Sequence, residues 1–143
     1  MIEVEAIASS SNGNCYRLIS GTHELLLEAG LPLKAIKEAV KFQLGRLDGC
    51  LLSHEHSDHS ASVAQLLHAG VDVYMTTGTA KALSEQAKGA CVMLKGDDDA
   101  YRAFSLGKHW TIKPFATYHD ANEPVGLSLA TEMMYCCLQQ THI

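Results

Sequence analysis

Between positions 53 and 59 the chain reads Ser53-His54-Glu55-His56-Ser57-Asp58-His59, three imidazoles and a carboxylate in one short stretch. These are the nitrogen and oxygen donors that a zinc-like ion takes, and four of them this close can serve two ions. The flanks constrain the fold around them. Cys50, Leu51 and Leu52, preceded by Gly49, form the short apolar run of a buried strand end, while Val63, Leu66 and Leu67 ahead of Gly70 have helical spacing. The cluster therefore occupies a strand-to-helix loop. Alternate residues of extended backbone share a side, so His54 and His56 converge on one ion while Glu55 turns away. Asp58 and His59 fall where the helix begins, within reach of a second ion. Two plainer readings compete: a histidine-rich surface loop that holds no metal, and a mononuclear structural zinc site. Structural zinc usually draws on cysteine, which this loop lacks, whereas catalytic zinc uses mixed nitrogen and oxygen ligands and keeps a position open.

The rest of the chain limits what such a loop can serve. Its 143 residues, 47% of them hydrophobic, suffice for one modest core, so a single domain over 1–143 is expected. No run approaches bilayer length, and the start Met1-Ile2-Glu3-Val4-Glu5 lacks the regions of a signal peptide, which together point to the cytoplasm. Five cysteines with no paired spacing read as buried free thiols. A formal charge of −5 argues against a general nucleic-acid coat. It does not exclude a phosphodiester substrate, because bound divalent ions add positive charge that residue counting omits.

Residues 2–8 alternate apolar and charged and read as a first strand, followed by the small polar turn 9–14 and a strand from Cys15 to Ile19. Leu25, Leu26 and Leu27 make a third, buried strand. Pro32 opens a helix through about Gln43, with Leu33, Ile36, Ala39 and Val40 on one face. Beyond the histidine loop, 71–75 is a strand, 79–88 a helix capped by Thr77 or Thr79, and 91–94 a strand; 110–116 and 125–129 are two more strands. Asp97, Asp98 and Asp99 read as an acidic turn. Strand pairs precede the helices, so a mixed sheet with helices on its outer face is expected. His119 ends a strand and precedes loop residues, which makes it a third ligand for the ion at His54 and His56; His23, His68, His109 and His142 read as structural.

Taken together, the turn 9–14, Leu27-Glu28-Ala29-Gly30-Leu31, the cluster 52–59, Thr77-Gly78-Thr79 and the stretch from Tyr118 to Gly126 resemble the metallo-β-lactamase-fold hydrolases, and within them the WalJ/YycJ-type branch. The resemblance implies an α+β fold of the αββα type, of which residues 1 to about 129 would supply the amino-terminal portion and leave the second half incomplete. It also implies that His54, His56 and His119 hold one metal and Asp58 and His59 the second, with zinc or manganese as the ions and Asp58 orienting the attacking water. Position 28 is glutamate where the family usually has aspartate, a change that affects a contact behind the ligands rather than a ligand itself.

The family's later bridging aspartate and final histidine are missing from this chain. Residues 131–143 lack strand alternation, and back-translation shifted by one base gives Arg-Asp-Asp-Val-Leu-Leu-Phe-Ala-Thr-Asp-Thr-Tyr, which resembles the missing strand; the tail is therefore read as out of frame. The activity expected of the lineage is phosphodiester hydrolysis, with DNA as substrate, by hydroxide held at a dinuclear centre. Hydrolysis of a cyclic nucleotide, thioester or lactam is an alternative. So is a catalytically weak remnant that binds one ion and self-associates through apolar surface exposed by the lost half-sheet.

Overall fold

The computed structural model describes residues 1–131 and the backbone of Tyr135–Leu138. Strands β1 (Glu3–Ser10), β2 (Gly13–Ser20) and β3 (His23–Leu27) form an antiparallel meander. The serine-rich stretch is mostly ladder rather than loop: Ser9 pairs with Asn14 and Ser10 with Gly13, leaving only Ser11 and Asn12 to turn. After β3 the chain switches to parallel crossovers. Strands β4 (Leu47–Leu51), β5 (Val73–Met75) and β6 (Cys91–Val92) each follow helical connections: α1 (Leu33–Ala39), then α2 (Ser57–Ser60) with α3 (Val63–His68), then α4 (Thr77–Leu83). These six strands make the expected mixed sheet, in the order β1-β2-β3-β4-β5-β6. A second, antiparallel sheet contains β7 (Phe104–Leu106), β8 (Trp110–Ala116), β9 (Val125–Ala130) and β10 (Tyr135–Leu138), in the order β10-β9-β8-β7.

Alternation along the central strands divides the core in two. Leu26, Cys50 and Leu52 face the helices and pack with Ile36, Val63 and Leu66. Leu25, Leu27 and Leu51 face the second sheet and join Trp110, Ile112, Leu127 and Leu129. A strand covered on both faces needs consecutive apolar residues, which is why all three leucines of β3 are buried. The layers are thus helix, sheet, sheet, three of the four in an αββα fold, and among the described residues no helix follows β6.

Several boundaries depart from the sequence expectation. The helix expected over 32–43 stops at Ala39, because Lys41 and Phe42 take left-handed φ of 54° and 60°. The helix after the histidine loop is broken in two: Ser62 gives its N–H to Ala29 O (2.9 Å) and its hydroxyl to Leu31 O, so its donors leave the helix ladder. Thr76, not Thr77 or Thr79, caps α4, and Ser84 at φ 54° ends the helix early. Strand β7 was not expected, and β6 is shorter than the 91–94 stretch. The tail read as out of frame lies outside the described residues, apart from Thr131 and the backbone of β10. That strand pairs with β9 through main-chain bonds, which need no side-chain alternation. Cys15 and Cys50 are buried free thiols as expected, with burial pushing the Cys15 thiol up to about 12, while Cys91 is only half-buried. Among the described residues no helix is long and apolar enough to cross a membrane.

Candidate metal centre

Strand β4 delivers the histidine loop to the edge where the two sheets meet. Leu52 N–H still bonds Tyr74 O (2.9 Å), and four residues on His56 lies outside the helical region, at ψ 142°. His56 O then accepts from His59 N–H (2.9 Å) and Ser60 N–H (3.0 Å), which closes the turn of α2 and carries Asp58 and His59. His119 comes from the second sheet, in the loop between β8 and β9.

These side chains, read from distant parts of the sequence, come together. Ring centroids lie 4.7 Å apart for His54 and His56, 4.4 Å for His54 and His119, and 4.9 Å for His56 and His119. Each offers a nitrogen within 4.8 Å of the others'. His59 stands 4.2 Å from His54 on its other side, and its Nε2 is 3.5 Å from Asp58 Oδ2. Three convergent imidazoles with an adjacent imidazole–carboxylate pair are a donor set that fits a divalent ion of the zinc type.

Two residues behind this set were not singled out as site residues by their spacing. Glu28 is fully buried at a left-handed φ of 70°. Its Oε1 accepts from Ser53 N–H (2.7 Å), its Oε2 from Ser53 Oγ–H (2.8 Å), and Oε2 also pairs with His59 Nδ1. That contact leaves Nε2 of His59 facing Asp58, the tautomer a ligand needs. Ser53 Oγ is in turn 2.8 Å from His54 Nδ1, so one carboxylate braces both halves of the site. Asn14, 2% exposed, donates from Nδ2 to Asp58 Oδ2 (3.2 Å) and Ser10 O (2.8 Å). Gly30 permits the close approach: a Cβ there would fall 1.7 Å from Asp58 O. The unusual Glu28 was a visible signal of a role; the turn around Asn14 gave none beyond its composition. Beside Asp58 opens a cleft of about 490 Å³ lined by Ser11, Asn12, Ser57 and Gln65 among others. His23 and His109 stack on each other, centroids 4.1 Å apart, away from this centre.

A two-sheet sandwich with ligand-bearing loops at one edge defines a class. The metallo-β-lactamase superfamily model matches residues 10–131, and the chain belongs to that superfamily. Membership implies use of a divalent metal, typically zinc. Within it the chain is similar to the exodeoxyribonuclease WalJ of Streptococcus pneumoniae, 34% identical over 128 residues that cover 82% of this chain and 46% of that one. It is 29% identical over 135 residues to the exodeoxyribonuclease YycJ of Bacillus anthracis, covering 87% and 48%. The chain thus spans about half the length of the curated relatives it matches. Among solved structures, the Bacillus subtilis metallo-β-lactamase-fold protein YhfI superposes with a TM-score of 0.71 at 18% identity, covering 96% of this chain and 61% of that one. The short form of human tRNase Z gives 0.72 at 14% identity, covering 95% and 68%. At those identities the likeness is one of fold.

Proposed function

We propose that this chain carries the metal-binding part of a cytoplasmic metal-dependent phosphodiesterase, with DNA as its substrate. The observation that carries the reading is the meeting of His54, His56 and His119, from two different sheets, beside Asp58 and His59. The first three would hold one ion, and Asp58 with His59 would hold a second, zinc or manganese in each case. When bound, such ions supply Lewis acidity toward a phosphoryl oxygen and make water a nucleophile near neutral pH. Asp58 would help hold the ion and orient its water, Glu28 holds His59 in its ligand tautomer, and Asn14 fixes the Asp58 carboxylate. The hydroxyl- and amide-lined cleft beside Asp58 is of a size that admits a nucleotide. The names of the WalJ and YycJ relatives support DNA as the substrate.

Metal content and hydrolysis of bis-p-nitrophenyl phosphate, measured together on the chain and its His56→Ala variant, test the proposal. Two ions per chain with turnover that the variant loses supports it. Metal-loaded chain without turnover favours the second reading, a part that binds one ion and lacks activity alone, which is motivated by coverage of 46% of the WalJ relative.

A further inference from the structure

The third histidine stands on the loop between β8 and β9, its Nε2 3.3 Å from His56 Nδ1. Residues 117–124 link β8 to β9 and have few bonds of their own, Ala121 N–H to His119 O (2.8 Å) and Thr117 N–H to Pro124 O (3.3 Å). His54 and His56 stand on the loop that leaves β4 of the other sheet, so the geometry of the triad depends on what fastens the two loops together.

At its end Val125 N–H bonds Ser53 O (3.0 Å), and two carboxylates fasten the loop itself. Glu55, between His54 and His56 in the sequence, accepts Asn122 N–H on both oxygens, at 3.1 and 3.2 Å. Glu123 reaches the start of α4: its Oε1 accepts Gly78 N–H (2.8 Å), its Oε2 accepts the Tyr101 hydroxyl, and Lys95 Nζ stands 3.9 Å away. The main chain joins in. Thr76 Oγ1 donates to Glu123 O (2.8 Å), and Asn122 Nδ2 donates to Gly78 O (3.2 Å). Position 78 must be glycine for this fit, because a Cβ there would fall 2.6 Å from Glu123 Cβ. A carboxylate suits the place better than an amide because it also carries the charge that faces Lys95 Nζ. Burial pushes the Tyr101 phenol up, and the bond to Glu123 adds to that, so the hydroxyl remains a donor through the neutral range.

We propose that Glu55 and Glu123 are positioning residues that clamp the His119 loop to the histidine loop and to α4, and thereby set the metal affinity of the His54–His56–His119 triad. This rests on the metal-centre reading above. The clamp lowers the entropy that the loop must lose when the ion binds, and so raises the metal affinity. Glu123, with more partners and a side chain 27% exposed, carries more of the effect than Glu55, whose bond lies at the surface.

The test is a Co²⁺ titration of the 143-residue chain, followed by calorimetry and by the visible absorption of the bound ion, with urea unfolding of the metal-free protein alongside. E123A is expected to weaken binding about tenfold and E55A several-fold, because the ion must then order the loop itself. In an H119A background neither should weaken it further, because both act through His119. The metal-free E55A protein should unfold at an unchanged urea midpoint. Binding within twofold of the unmodified chain in both variants, or the same weakening with His119 removed, overturns the proposal. Should E123A fail to fold, E55A decides alone by these criteria. An unmodified chain that binds no Co²⁺ overturns the metal-centre reading and the clamp with it, a result distinct from tight binding that the variants leave untouched.

Discussion

Glu28 shows how a single residue can be strained and still fixed in place. A non-glycine residue at φ 70° costs roughly 1 kcal/mol or more, offset here by a buried carboxylate with three partners. Glu28→Ala would leave Ser53 N–H and the His59 ring buried without their acceptor, so urea unfolding should show a loss of about 2–4 kcal/mol. Arg17 and Glu24 give a second prediction at this scale. Arg17 holds the Glu24 carboxyl below the usual range, first through the bond between them and then through its charge, against the opposing effect of burial. A depressed folded-state value means the stabilisation is complete above the unfolded carboxyl's value and is lost as pH falls through the folded one. Arg17→Met should therefore cost about 1–2 kcal/mol at neutral pH, with the two urea midpoints converging as the pH falls below the usual carboxylate range.

At the scale of elements, the site depends on the segment that follows β3, Ala29 and Gly30, passing directly against α2. Ala29 N–H bonds His59 O at 2.7 Å, and Gly30 lies against Asp58 O, so an added methyl must push the two segments apart. Gly30→Ala should lose about 3 kcal/mol or more by urea unfolding and weaken binding at the Asp58 and His59 side. Elements of clear period were legible in the sequence: β8 runs over Trp110–Ala116 as read, and β9 begins at Val125 as read. Helix ends were not, because they are set by contacts from afar. Ser62 leaves its helix for Ala29 and Leu31, and nothing near Ser62 in the chain announces that. The site divides in the same way. His54, His56, Asp58 and His59 announce themselves by proximity, but Asn14 lies 44 positions from Asp58 and Glu123 lies 45 from Gly78, pairings that only the fold creates. Glu55, set between two histidines in the sequence, takes as its partner Asn122, 67 positions on.

For the molecule as a whole, the sandwich exists to bring two loops from two sheets to one edge, and an ion bound there couples the sheets. Binding to the folded state alone adds about 2.7 kcal/mol at a ligand concentration a hundred times the Kd, so zinc should raise the unfolding midpoint and a chelator should return it. The most direct measurement is a zinc-binding isotherm of the chain beside its His119→Ala variant. The expected result is a tight site in the chain that weakens by at least about a hundredfold when His119 is removed. Binding of equal strength in both would show that the second sheet contributes no ligand and would contradict the metal centre described here.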